Sequence, residues 1–139
     1  VEFSDYALPP TVKQDLLSLA SCGMVPVITH PERNQILLRQ QELVLGIVEQ
    51  GCLVQVTANA VTGFWGNQSK KMVEWLLKHD AVHVIASDAH DPERRQPVLS
   101  GARDAVAKLV GKEIADALVT LNPAAIVDGQ SLPYQPALR

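Results

Sequence analysis

The sequence has no apolar run of about eighteen residues, the length a membrane-spanning helix needs. It has no internal repeat, low-complexity tract or linker. Neither sign of charge is in large excess: 12 lysines and arginines stand against 15 aspartates and glutamates. The resulting net charge of -3 does not suit a general nucleic-acid binder. Cysteine is scarce. Cys22 and Cys52 lie far apart, match no CxxC or zinc spacing, and sit among apolar residues. Both are expected to be small, buried, reduced side chains, which points to a cytoplasmic protein. What remains is one domain's worth of chain: 139 residues, 47% apolar and 19% charged, a balance that fits a folded protein and not a disordered one.

Hydrophobic spacing divides the chain into alternating elements. Val1 to Phe3 reads as the end of a strand, so the chain opens as if inside an element and is expected to be the C-terminal part of something longer. Pro9-Pro10 leads into an amphipathic helix over 11–21, with Val12, Leu16, Leu19 and Ala20 at near-helical spacing and Gly23 closing it. Met24 to Thr29 is a nearly continuous apolar run, as in a strand covered on both faces. A helix over 36–50, broken near Gln40, turns Leu38, Leu43, Ile47 and Val48 inward. A strand over 53–56 is followed by a loop over 57–66, then by a helix to about His79 capped by Asn67 or Ser69. Residues 81–86 form the next strand and 91–97 a loop rich in charge and proline. Two helices split at Gly111 follow, and a last turn is capped by Asn122 with Pro123 in first position. Residues 129–139 read as a surface or disordered tail. Alternation of this kind implies an α/β fold with parallel strands.

The polar residues fall where such folds place their sites, at the C-terminal ends of the strands. In Val84-Ile85-Ala86-Ser87-Asp88-Ala89-His90, a buried strand runs into a carboxylate and an imidazole two residues apart. In extended chain that spacing turns both to one side, and the donors suit a divalent metal. The plainer alternative is a polar turn in which Asp88 caps the next segment. Glu2 and His30 end two other strands and join Asp88 and His90 as candidates for one metal cluster. The remaining strand runs into Thr57 and Asn59, which are placed as substrate-binding residues. His79 reads as a helix-terminal imidazole and His83 as a hydrogen-bonded core histidine. Arg33 and Arg95 sit in the same loops and are of the type that grips phosphate, whereas Arg94 reads as surface charge. Glu32 reads as a partner for Arg33 or Arg39. Phe64 and Trp65 can either stack on a substrate ring or pack.

His30-Pro31-Glu32-Arg33-Asn34, Gln55-Val56-Thr57-Ala58 and Ala86-Ser87-Asp88-Ala89-His90, in this order, resemble the bacterial PHP-family protein-tyrosine phosphatases of capsular and exopolysaccharide operons, the manganese-dependent type. The resemblance runs from Glu2 to about Val110, with Asn122-Pro123 fitting the family's C-terminal end. It implies that residues 1–128 are the C-terminal portion of a distorted TIM-like PHP barrel. It further implies that Glu2, His30, Asp88 and His90 are metal ligands and that Arg33 and Arg95 face the phosphate. Arg95 is preferred to Arg94 because the family has its arginine close before a proline, here Pro97. The cofactor implied is Mn, with Fe, Zn or Mg as alternatives. The reaction implied is hydrolysis of a phosphotyrosine ester by a metal-activated hydroxide, with no cysteine nucleophile. The expected partner is a phosphotyrosine protein, in particular the tyrosine kinase of a polysaccharide operon.

The family's opening His-x-His strand is absent from these 139 residues. The expectation is therefore little activity for this stretch by itself, and an open sheet edge that invites a homo-oligomer. Two other readings stand beside the tyrosine phosphatase. One is a PHP phosphoesterase of the histidinol-phosphatase kind. The other is a truncated, non-catalytic remnant that binds a partner.

Overall fold

Val27–Thr29, Leu53–Thr57 and Val84–Ala86 pair side by side as parallel strands β1, β2 and β3, in that order across the sheet. Ile28 lies opposite Val54, and Val56 opposite Ile85. These four side chains are almost fully buried, as β-branched residues on a covered sheet face are expected to be. The computed structural model describes residues 1–138, so of the expected tail Arg139 lies outside the described residues. Among the described residues the sheet is open and three-stranded.

Parallel neighbours require helical crossovers. Helix α1 (Val12–Ser21) precedes β1 and turns Val12 and Leu16 onto Ile28, Ile47 and Cys52. Leu19 is only partly buried and Ala20 is exposed. Helices α2 (Gln35–Arg39) and α3 (Glu42–Val48) link β1 to β2, with the expected break at Gln40. Their fully inward residues are Leu37, Val44 and Ile47; Leu38, Leu43 and Val48 are partly buried at the flanks. Helices α4 (Ala58–Thr62) and α5 (Asn67–Lys78) link β2 to β3. After β3 a long loop leads to α6 (Ser100–Val110), α7 (Lys112–Asp116) and α8 (Asn122–Val127). The main core lies between the sheet and α4, α5, α6 and α7. No helix among the described residues is long and apolar enough to cross a membrane.

Several expectations are corrected. Val1 to Phe3 is not a strand, although Val1 lies along β1: its amino group donates to the Val27 carbonyl (2.7 Å) and its carbonyl accepts from the Thr29 amide (3.0 Å). The apolar run from Met24 supplies only three strand residues, with Met24 and Val25 exposed in the turn before them. Cys22 is exposed; only Cys52 is buried, and burial pushes its thiol pKa up. Residues 58–62 form a helix where a loop is expected, because the Thr57 hydroxyl accepts from the Ala60 amide (3.3 Å) and caps a single short turn. Neither Asn67 nor Ser69 caps α5. Gly66 takes that position, and the Ser69 hydroxyl donates to the Glu32 carbonyl (2.8 Å).

Asn122 does not cap a new turn. The helix continues from α7 through one wide, π-type turn, Ala117–Leu121, straight into α8. In a regular helix the Pro123 ring would collide with the carbonyl four residues back, and the wide turn falls just where that carbonyl must move aside. The Asn122 side chain is thereby free to reach across the fold. Its amide donates to the carbonyls of His83 (2.9 Å) and Tyr134 (2.8 Å), and its oxygen accepts from the Tyr134 amide (3.1 Å). Tyr134 and Leu138 rest on the main core, so the described part of the tail is extended and docked.

Candidate active site

β1 and β3 end in sharp turns that carry His30, Asp88 and His90, whereas β2 runs straight into α4 and Glu2 lies in the segment before α1. His30 directly follows β1 and Asp88 follows β3 by two residues. Both adopt left-handed backbone conformations, with φ of 35° and 52°. Only Asp80 shares this property among the other non-glycine described residues. Such conformations cost roughly 1–3 kcal/mol each and cluster at functional sites. At His30 the amide is held by the Gln55 carbonyl (2.8 Å), which fixes the turn against β2.

The turned histidine is buried, and its Nε2 lies 3.2 Å from the Glu2 carboxylate. Pro31–Arg33 makes one tight helical turn, which sends Glu32 inward and Arg33 outward. The Arg33 guanidinium donates to Asp5 (3.3 Å) and to Asp88 (3.4 Å), and Arg95 donates to the same Asp88 oxygen. Asp88 therefore joins the loop after β1 to the loop after β3. His90 turns its Nδ1 back to the Asp88 carbonyl (2.8 Å). A carbonyl only accepts, so Nδ1 carries a proton in this contact.

The loop after β3 is shaped by Asp91. Its carboxylate accepts from the amides of Glu93 (2.9 Å), Arg94 (2.5 Å) and Arg95 (3.3 Å). These amides, that of Arg94 foremost, hold its pKa below the usual carboxylate value. The His90 amide then donates to the Arg95 carbonyl (3.0 Å), folding Arg95 back over Asp88 and leaving Arg94 exposed.

Thr57 is fully buried; its amide (2.8 Å) and hydroxyl (2.9 Å) both donate to one carboxylate oxygen of Glu32. Glu32 Oε2 is buried without a partner, and burial pushes the Glu32 pKa up to about 7 against the opposing pull of the Thr57 amide. From sequence, Glu32 is expected to pair with Arg33 or Arg39. It serves instead as the post that ties the His30 turn to the end of β2 and the start of α5. A carboxylate between two loop residues gives no pattern by which to foresee this. Asn59 is half-buried on α4, and its carbonyl accepts from the amides of Phe64 (2.8 Å) and Trp65 (3.4 Å). Asp5 was also missed, lying in a loop with no periodicity.

The donor chemistry matches a divalent cation: carboxylate oxygen and imidazole nitrogen, twice over, one pair at the end of β1 and one at the end of β3, with β2 between them. The arrangement stays in pairs, Glu2 with His30 and Asp88 with His90. Among the described residues no three His, Cys, Asp or Glu side chains converge to enclose an ion. The four residues thus fit as part of a coordination shell and do not complete one. The opposite end of the strands holds a cavity of about 740 Å³ bordered by Val27, Leu53 and His83. It is remote in the fold from the polar cluster, which stands open at the C-terminal ends.

The family model for capsular polysaccharide synthesis, CpsB/CapC, matches residues 1–128. The tyrosine-protein phosphatase CpsB of Streptococcus pneumoniae is 32% identical over 135 residues, covering 94% of this chain and 56% of that protein. Tyrosine-protein phosphatase YwqE of Bacillus subtilis (strain 168) is 30% identical over 136 residues, 98% of this chain and 53% of YwqE. Among solved structures, the crystal structures of YwqE and of CpsB from S. pneumoniae, described as unique metal-dependent tyrosine phosphatases, include a chain that superimposes with a TM-score of 0.88 at 31% identity. That match covers 99% of this chain and 57% of the other. The chain spans about half the length of the curated relatives it matches. The sheet with its strand-end turns and the match over 128 residues lead to one conclusion: this chain belongs to the CpsB/CapC family of capsular polysaccharide synthesis proteins.

Proposed function

We propose that this chain carries the phosphate-gripping side and part of the metal-binding side of a metal-dependent protein-tyrosine phosphatase. The observation that carries the reading is the meeting of Arg33 and Arg95, from two different loops, at Asp88. Two guanidiniums held side by side at strand ends form a fork suited to the oxygens of a phosphoryl group. Glu2, His30, Asp88 and His90 are assigned as metal ligands in this reading. A bound divalent cation, Mn by preference and Fe, Zn or Mg otherwise, supplies Lewis-acid charge and acidifies water. The chain's own part is to hold the phosphoryl oxygens with Arg33 and Arg95 and to neutralise the charge that builds there. Thr57, expected to bind substrate, is fully buried and supports the site through Glu32, while half-buried Asn59 is kept as a substrate-binding candidate beside the loop that bears Trp65.

The proposal extends to the setting. Residues 1–128 are read as the C-terminal portion of a PHP-type barrel and 129–139 as its surface tail. The substrate is read as a phosphotyrosine protein, the tyrosine kinase of a polysaccharide operon in particular, in the cytoplasm. An edge of the three-stranded sheet is read as a place for self-association, although Val1 already pairs with Val27 and Thr29 along β1. A second reading, partner binding without turnover, draws on the absence of three converging donors among the described residues.

Phosphate release from a phosphotyrosine peptide, followed with added Mn and with chelator, tests the first reading. In a protein that carries the whole family domain, metal-dependent turnover is expected, with little from these 139 residues by themselves. There Arg33→Ala or Arg95→Ala is expected to lower kcat/KM by about a hundredfold, roughly 2.7 kcal/mol of transition-state stabilisation. Turnover that ignores both arginines, or bound metal with no turnover at all, would favour the second reading.

A further inference from the structure

Trp65 stands where the two phosphate-facing arginines meet. The Arg95 guanidinium carbon lies 5.6 Å from its ring centroid and that of Arg33 5.9 Å. Both are within reach of a cation–π interaction, yet they come from loops that follow different strands. Phe64 meets the indole edge-on, with ring centroids 5.3 Å apart and planes at 73°.

The pair is displayed and not packed away. Phe64 is 65% exposed and Trp65 36% exposed. Their loop is nonetheless firmly built. Gly63 and Gly66 flank it with φ of 88° and 95°, conformations that a side chain would strain. The Asn59 carbonyl takes both aromatic amides, and the Gly66 amide returns to Gly63 (3.0 Å). An exposed aromatic pair on a fixed loop, beside two guanidiniums, has a polar grip on one side and open π surface on the other.

We propose that Trp65, with Phe64 at its edge, is the platform that selects aryl over alkyl phosphate esters in this site. The proposal rests on the phosphatase reading above and deepens it. An aryl phosphate carries its ring one bridging oxygen from phosphorus, so a phosphate held by Arg33 and Arg95 brings the ring to the indole. An alkyl phosphate such as phosphoserine has only a methylene there. Stacking then adds to binding for one class and not for the other.

Two arms test this. The first compares kcat/KM of the metal-loaded protein carrying the whole family domain on phosphotyrosine and phosphoserine peptides. Trp65→Ala is expected to lower the value on phosphotyrosine roughly ten- to a hundredfold with little change on phosphoserine, and Trp65→Phe to keep most of it. Parallel loss on both esters would mean that Trp65 only packs the arginines, and would overturn the proposal. The second arm needs no turnover. In a Trp75→Phe background, whose own indole is occupied by the His79 ring at 4.1 Å, Trp65 fluorescence is titrated with each phosphopeptide. Stronger quenching by phosphotyrosine than by phosphoserine supports the platform, and equal responses overturn it. Absence of turnover on either ester by the protein that carries the whole family domain sinks the phosphatase reading, while this binding arm still decides the platform.

Discussion

His83 shows how one side chain can stand in for backbone. It lies just before β3, and its amide donates to the Val54 carbonyl (2.9 Å). Its ring then returns the favour, Nδ1 accepting from the Val54 amide (3.1 Å). The acceptor role requires a neutral ring with its proton on Nε2. Burial lowers its pKa from 6.5 to about 4. Because the folded pKa lies below the unfolded one, the unfolded chain takes up a proton first as pH falls. The stability contributed by neutral His83 is thus fully present above 6.5 and is lost progressively down to about 4. The loss over that window is on the order of 3 kcal/mol. Urea denaturation measured between pH 7 and pH 4 should show this slope, and His83→Asn, whose side-chain oxygen can keep the acceptor, should flatten it. An unchanged slope in that variant would place the acid sensitivity elsewhere.

Among the elements, the short α2 is held at its start by Asn34. The side-chain oxygen accepts from the amides of Ile36 and Leu37 (2.9 Å each), while the amide group donates to the carbonyls of Ser4 (2.7 Å) and Ala7 (2.9 Å). One buried residue therefore caps a helix and ties down the loop that carries Asp5. Asn34→Ala is expected to cost about 2–3 kcal/mol of unfolding free energy, since it removes a cap and strands two carbonyls. It should also raise amide exchange across residues 4–8, which hydrogen-exchange mass spectrometry would reveal. Protection there unchanged from the parent protein would contradict the tie.

The same scale shows what was legible in the sequence. The α1, α5 and α6 helices and the β2 strand follow from apolar spacing alone, and Gln40 and Gly111 break helices as read. What spacing does not reveal is short structure made by side-chain bonds. Residues 58–62 are too few to show a period, and their helix depends on one Thr57 hydroxyl. Asn122 has the look of a cap in sequence, but the wide turn before Pro123 frees it to hold the tail.

For the whole molecule, the pattern of strands ending on polar residues was readable, because parallel α/β folds bring those ends together whatever the sequence distance. The partners of each polar residue were not readable. That Glu32 faces inward to Thr57, and that Arg33 and Arg95 share Asp88, depends on left-handed turns at His30 and Asp88 that no spacing rule gives. The strand-end cluster and the His83 cavity also lie at opposite ends of one thin sheet, so the chemistry and the docked tail do not compete for space.

Arg33 and Arg95 both hold the one Asp88 oxygen, Oδ2, so a cation that draws on that oxygen competes with them. Whatever relieves it of one claimant changes its hold on the others. In the proposed phosphatase the ion pair would act as an internal antagonist, occupying the proposed phosphate grip with the protein's own carboxylate. A divalent ion that takes Oδ2 would release Arg33 and Arg95, so metal and phosphate should then bind with positive cooperativity. Linkage requires the help to be mutual. Calorimetric titration of inorganic phosphate should show at least about fivefold tighter binding with Mn present than without it, and phosphate should tighten Mn by the same factor. Affinities that do not depend on one another would show that the carboxylate and its two arginines are a fixed strut and not a gate on the order of binding.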